Sequence, residues 1–240
     1  GGAPCHGLTP WAYELTDRYA WSMAKPQTIP ATTAPPAEKR RAARLYAKLE
    51  ALYPDAHCAL NHDNPWQLLV ATILSAQCTD THVNKVTPAL FAAFPTPADA
   101  ADAGADRIEP YVKTCGFFRN KAKSIHGAAL AIVEQHDGAV PRTMDELLAL
   151  PGVARKTANV VLGNAFGIHE GVVVDTHVGR LAVRLGLTEH DPKDAVKIER
   201  DLVARFPRPK WTMLSHLLID HGRAVCKAQR PKCSECALSR

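Results

Sequence analysis

No stretch of this 240-residue chain reaches the ~18 consecutive apolar residues that a membrane-crossing helix needs. The first thirty residues also lack the charged start and unbroken apolar run of a secretory signal. The expectation is therefore a soluble cytoplasmic protein. Strand patterning is missing as well: Val172-Val173-Val174 is the only strand-like run, and it is too short to build a sheet. A regular array of paired cysteines is absent too. Four of the seven stand singly, Cys5, Cys58, Cys78 and Cys115, and three bunch together as Cys226, Cys233 and Cys236. An odd number so unevenly spread excludes a secreted disulfide framework, and the bunching points to metal ligation in a reducing compartment.

Enough apolar residues are present, 46%, for one large core or two small ones. The net charge of +5 is lopsided: residues 1–150 hold 14 Lys and Arg against 15 Asp and Glu, while residues 151–240 hold 15 against 9. A basic final third suits a polyanionic partner, and it equally suits a solvated basic face.

Residues 1–36 are rich in Pro, Ala, Thr and Gly and read as a mobile tail, with Trp11, Tyr13 and Trp21 available to dock. From Glu38 onward the apolar spacing is helical, predicting an all-α protein of roughly ten helices. Helix starts are expected at Asn64-Pro65, at Thr96-Pro97, at Thr143 with Glu146 as a capping box, and at Asp191-Pro192. Stops are expected at Gly104, Gly116, Gly138, Gly167, Gly186 and Gly222. Trp66, Leu69, Val70, Ile73 and Leu74 should form one apolar face, with Gln77 continuing it a turn later.

Two segments carry chemistry. Leu147 to Leu162 reads as helix, Pro151-Gly152 break, helix, and the open amides of such a second helix can hold a phosphate or simply follow an ordinary turn. In Val174-Asp175-Thr176-His177, Asp175 sits where a helix begins, as a cap, a catalyst or both.

Together these segments resemble the helix-hairpin-helix superfamily of DNA glycosylases, nearest its endonuclease III family. The resemblance lies in Leu150-Pro151-Gly152-Val153-Ala154-Arg155-Lys156-Thr157-Ala158-Asn159 and Val174-Asp175-Thr176-His177. Leu74-Ser75-Ala76-Gln77-Cys78-Thr79-Asp80 and Gly116-Phe117-Phe118-Arg119-Asn120-Lys121-Ala122 add to it, and it runs from about residue 38 onward. It implies two helical domains: a six-helix domain over 58–168 holding the hairpin, and a second from 37–57 plus 169–240 holding a metal-cluster loop.

The activity implied is removal of oxidised pyrimidines from damaged double-stranded DNA by a monomer, with cleavage at the resulting abasic site. A base inside a duplex must be flipped out to be reached. Gln77 would fill the vacated stack, Phe117 or Phe118 would wedge beside the opposite base, and Gly152, Val153, Ala154 and Arg155 would grip phosphate. Lys156 is implied as the nucleophile, and Asp175 as the group that eases loss of the base. A lysine attacks only when neutral, which implies a desolvated site beside Arg155 or other cations.

Cys226, Cys233 and Cys236 match three ligands of the family's [4Fe–4S] cluster, the fourth being expected beyond Arg240, although zinc with one further ligand also suits the spacing. Arg223, Lys227, Arg230 and Lys232 interleave them and suit phosphate. Ala154 stands where many family members have glycine, an expected cost of about 1 kcal/mol or more if the backbone there is left-handed. Two other readings remain at this point: a damage-sensing DNA-binding paralogue with little catalysis, and a monofunctional adenine-type glycosylase, which the lysine at 156 argues against.

Overall fold

The structure, a computed structural model, describes residues 33–238. The expected tail, with Trp11, Tyr13 and Trp21, lies almost wholly outside the described residues. Among the described residues eleven α-helices follow one another: α1 (Pro36–Leu52), α2 (Pro65–Ser75), α3 (Asp80–Ala93), α4 (Pro97–Ala103), α5 (Ala105–Val112), α6 (Phe118–Gln135), α7 (Met144–Ala149), α8 (Arg155–Phe166), α9 (Thr176–Arg184), α10 (Ala195–Arg205) and α11 (Trp211–Ala224). No strand occurs among the described residues, so the chain is all-α. Val172 and Val173 are buried but unpaired with any strand; the Val173 N–H donates instead to Ser215 Oγ of α11 at 3.0 Å.

Local capping chemistry sets most boundaries. Asn64 accepts from the Gln67 N–H with Pro65 opening α2, Thr96 and Asp99 close a reciprocal capping box on α4, and Thr143 caps α7. One start falls later than its sequence signal. Asp191 spends its carboxylate on the Lys193 N–H in a local turn, and Asp194 caps α10 in its place. Seven helices, not six, lie between residues 58 and 168, because Gly104 at φ 81° separates α4 from α5. Gly222 ends nothing: it sits inside α11, where a Cβ would lie 3.0 Å from His177 Nδ1 and 3.1 Å from an Arg180 guanidinium nitrogen.

The apolar side chains form two cores. One runs from Leu60 to Leu162 around α2, whose Trp66, Leu68, Leu69, Val70, Ala71, Thr72, Ile73 and Leu74 are all buried. This helix is enclosed on every side rather than along one face, since α3, α6 and α8 all pack on it. The second core is discontinuous in sequence: Ala42, Tyr46 and Leu49 of α1 pack with Val178 and Leu181 of α9, Ile198 and Leu202 of α10, and Leu214, Leu217 and Leu218 of α11. Each fully buried leucine contributes about 1.5–3 kcal/mol. Helix α11 touches both α8 and α9, which joins the elements that carry Lys156 and Asp175.

Candidate active site

The hairpin is built from the core outward. Leu150 and Val153 are buried and plug the turn between α7 and α8 into the first core, leaving Gly152 and Ala154 exposed. Gly152 takes φ +78°, and a Cβ there would lie 2.5 Å from the Ser124 Cβ, so glycine serves both the backbone and the close approach to α6. Ala154 is different. Its φ of −95° and ψ of 169° are ordinary extended backbone, so the expected strain is absent. No side chain caps α8, so its first-turn amides face outward with the positive end of the helix dipole.

Lys156 is the second residue of α8, exposed, and makes no hydrogen bond or ion pair among the described residues. Arg155 does not project toward it as a free cation. Its guanidinium donates to Glu199 through Nε and Nη2, both at 3.0 Å, and to the Glu170 carbonyl at 3.3 Å. Glu199, on α10, is buried and also accepts from Asn159 Nδ2 at 3.1 Å. Of the surroundings expected for Lys156, burial is absent, since the residue is exposed, and the charge of Arg155 is matched by Glu199.

The segment after α8 returns past this first turn. A Cβ on Gly171 would collide with the Glu199 carboxylate and the Asn159 amide, so glycine lets the backbone pass. Asp175 follows four residues on, hence no more than about 14 Å away along the chain. Its Oδ1 accepts from the Val178 N–H at 2.8 Å, capping α9 while the rest of the half-buried carboxylate stays available. Behind it, His177 accepts from Arg180 at 3.1 Å. Burial pushes the His177 pKa down against the pull of Asp175, and Arg180 and Arg223 add to the depression.

Two loops lie side by side at another edge of the first core. Gln77 does not continue the α2 face, because the helix ends at Ser75 and Gln77 turns outward at φ 54°. Phe117 is also left-handed, at φ 58°, and 64% exposed. Phe118 turns inward against the core under the Arg119 guanidinium. A Cβ on Gly116 would sit 3.7 Å from the Gln77 carbonyl oxygen, which places the loops in contact range. Lys121 is buried, and its ammonium donates to the Leu74 carbonyl at 2.9 Å, closing the end of α2. Arg223 of α11 pairs with Asp80 at 2.6 Å and ties the second core to the start of α3. Burial and the adjacent Cys78 thiol push the Cys115 thiol up to about 11.

The three late cysteines lie on the loop after α11, Cys226 and Cys236 half-buried and Cys233 exposed. Arg184 donates to Cys226 Sγ at 3.4 Å and to the Lys227 and Ala228 carbonyls, while Arg180 Nε donates to the Cys226 carbonyl at 3.1 Å. His221 Nε2 lies 3.5 Å from Cys236 Sγ, and its Nδ1 meets the Tyr53 hydroxyl at 2.9 Å. Glu199, Lys121 and His221 carry no local sequence signal, because each finds its partner more than ten residues away.

Residues 70–208 match the family model of the HhH-GPD superfamily base excision DNA repair protein. The chain is 56% identical over 202 residues to the endonuclease III of Synechocystis sp., covering 84% of this chain and 91% of that protein. It superposes with a TM-score of 0.78 and 42% identity on a solved non-covalent endonuclease III–DNA complex, over 83% of this chain and 92% of that one. A trapped endonuclease III–DNA covalent intermediate gives the same score and identity over 83% and 93%. By this family model and these identities, the chain belongs to the HhH-GPD superfamily of base excision DNA repair proteins and, within it, to the endonuclease III family.

Proposed function

We propose that this protein is a base-excision DNA glycosylase with abasic-site lyase activity, removing oxidised pyrimidines from double-stranded DNA through a lysine Schiff base. The observation that carries the reading is Lys156: an exposed amine without a partner among the described residues, in the first turn of α8, directly after an uncapped hairpin. Support comes from the endonuclease III caught in covalent complex with DNA, which shares this fold.

The neutral Lys156 amine would attack C1′ of a flipped nucleotide as the glycosidic bond breaks with its electron pair on the departing base, which takes up a proton. Nζ loses a proton, the sugar opens, and the C1′–Nζ bond becomes an imine. Loss of a C2′ proton then expels the 3′ phosphate. Bound DNA, rather than the protein alone, would strip water from Lys156. Asp175 would stabilise positive charge at the sugar with the carboxylate left after capping. Gln77 and Phe117 are proposed to enter the duplex, with Phe118 their buried support; the backbone of Gly152, Ala154 and Arg155 would meet phosphate, while Val153 anchors the turn.

Cys226, Cys233 and Cys236 fit a thiolate-ligated cluster, because Arg184 supplies an N–H to Cys226 Sγ and the loop is basic. We read them as three ligands of a [4Fe–4S] cluster. When bound, it would staple this loop in place. The reading includes a monomer working in the cytoplasm and two domains, 58–168 and 37–57 plus 169–240, supported by the two separate cores. No helix among the described residues is long and apolar enough to cross a membrane.

The deciding experiment is borohydride trapping on abasic-site duplex and on duplex carrying an oxidised pyrimidine, with wild type and Lys156→Ala. A covalent adduct in wild type alone supports the lyase. Tight binding by wild type without adduct or base release overturns it in favour of a damage sensor.

A further inference from the structure

A second group of soft ligands lies away from the late cysteines. Cys78 Sγ, Cys115 Sγ and a ring nitrogen of His82 all lie within 4.8 Å of one another. They come from three places: Cys78 from the loop after α2, His82 from the first turns of α3, and Cys115 from the loop before α6. The backbone holds both thiols. The Cys78 N–H donates to the Ser75 carbonyl at 3.1 Å, and the Cys115 N–H to the Val112 carbonyl at 2.8 Å. One His82 nitrogen, Nε2, is set against the Thr114 hydroxyl at 2.9 Å, the kind of outer partner that fixes the orientation of a ligating imidazole.

We propose that Cys78, His82 and Cys115 form a binding site for a thiophilic divalent cation of the zinc class, with a fourth position left for water. Tetrahedral zinc with bonds of about 2.0–2.3 Å separates its ligand atoms by about 3.5–3.8 Å. The separations between the three ligand atoms therefore need to shorten by about 1.3 Å or less, within reach of small torsional changes. Two thiols release two protons on binding, and the dication then meets two thiolates and one neutral imidazole at zero net charge. The ion would cross-link the loop of Gln77 to the loop of Phe117, since Cys78 follows one and Cys115 precedes the other by two residues. The effect on DNA rests on the proposed role of those loops; the site itself does not.

Cobalt(II) is the probe, added to the full reduced chain and followed by thiolate-to-metal absorption. Wild type is expected to bind one equivalent more than Cys78→Ser or Cys115→Ser, and His82→Ala to weaken that equivalent at least tenfold. Cys78 is only half-buried, so its variant keeps the test open if the buried Cys115→Ser misfolds. Equal uptake by wild type and folded Cys78→Ser overturns the site. So does a reduced chain without the absorption whose Cys78 and Cys115 close a disulfide in air. Affinity for abasic duplex, with and without zinc, is then read separately. A chain that takes up cobalt but binds no duplex refutes the DNA reading and leaves the metal site standing.

Discussion

Arg155 and Glu199 share two hydrogen bonds, Nε to Oε2 and Nη2 to Oε1, each at 3.0 Å, across 44 residues of sequence. This fork fixes the first turn of α8 against α10 and neutralises the cation beside Lys156 before any substrate arrives. Among the described residues, the start of α8 therefore presents the unpartnered Lys156 amine and a row of uncapped amides, with the Arg155 charge already matched.

Replacing Glu199 with Gln should separate these two effects. The variant keeps the shape but removes the Glu199 charge from a partly buried guanidinium, an expected loss of about 2–3 kcal/mol in urea unfolding. Arg155 keeps the Glu170 carbonyl as an acceptor, and the charge no longer matched by Glu199 is expected to draw phosphate. The dependence of duplex binding on salt should steepen by about 0.9 in the log–log slope, the contribution of one added phosphate contact. An unchanged slope would show that Arg155 stays where it is.

Asp175 caps α9, and its other lone pairs are proposed to act on the sugar. Asparagine caps as well as aspartate but carries no charge. Asp175→Asn should therefore melt within about 0.5 kcal/mol of wild type while base release falls steeply, and Asp175→Ala should lose about 1 kcal/mol as well. If Asp175→Asn retains full turnover, Asp175 is only a cap.

What the sequence made legible was local. Asn64, Thr96 and Thr143 announce their helices because the accepting cap and the N–H that donates to it lie three residues apart, and the hairpin is read locally too, from Pro151-Gly152. Asp191 and Asp194 offered the same chemistry three residues apart, and only the competing turn to Lys193 decides between them. Phe117 and Phe118 are identical neighbours that a left-handed backbone sends to opposite sides, which no periodicity encodes. Glu199 with Arg155, and Cys78 with Cys115, are pairs made by packing across dozens of residues. The family resemblance thus supplied the candidate residues, while the charge balance around them comes only from packing.

The two positions of the hairpin that invite glycine should respond in opposite ways. Gly152→Ala places a Cβ at left-handed φ and against Ser124, and should cost about 2–4 kcal/mol by denaturant unfolding. Ala154→Gly relieves nothing, since the backbone there is extended, and should leave stability unchanged or lower by up to about 1 kcal/mol. A clear gain from Ala154→Gly would contradict the backbone described above.

His216 gives a pH signature. Burial, with His57 nearby, pushes its pKa down to about 4, and its Nε2 is paired with Asn164 Oδ1 at 2.7 Å. The folded value lies below the unfolded value of 6.5, so between the two the unfolded chain binds a proton that the folded chain refuses. This contribution is fully present above pH 6.5 and is lost as the pH falls through that value toward 4. It amounts to about 3 kcal/mol over the whole window, from about 1.4 kcal/mol per pH unit. Urea unfolding of wild type and His216→Gln at pH 7.5, 5.5 and 4.5 should show the difference between them shrinking as the pH falls; a constant difference would exclude His216 as its source.

Gln77 and Phe117 hold left-handed conformations that cost an ordinary residue about 1–2 kcal/mol, and neither returns that cost as core packing, because both point outward. Such strain persists where function uses it. Glycine removes the steric cost but adds chain entropy to the unfolded state, leaving an expected net gain of about 0.5–1 kcal/mol in each variant. Binding should move the other way. Without the amide of Gln77 or the ring of Phe117, nothing fills or props the gap left by a flipped nucleotide, and affinity for abasic duplex should fall at least tenfold. Thermal melting and duplex titration of Gln77→Gly and Phe117→Gly read the two effects on the same samples. A variant that becomes more stable and binds no worse would show that the outward residues serve the loop alone. More stability with weaker binding is the outcome expected if both side chains enter the duplex, because the tension relieved in the free loops is then outweighed in the complex by the contacts removed.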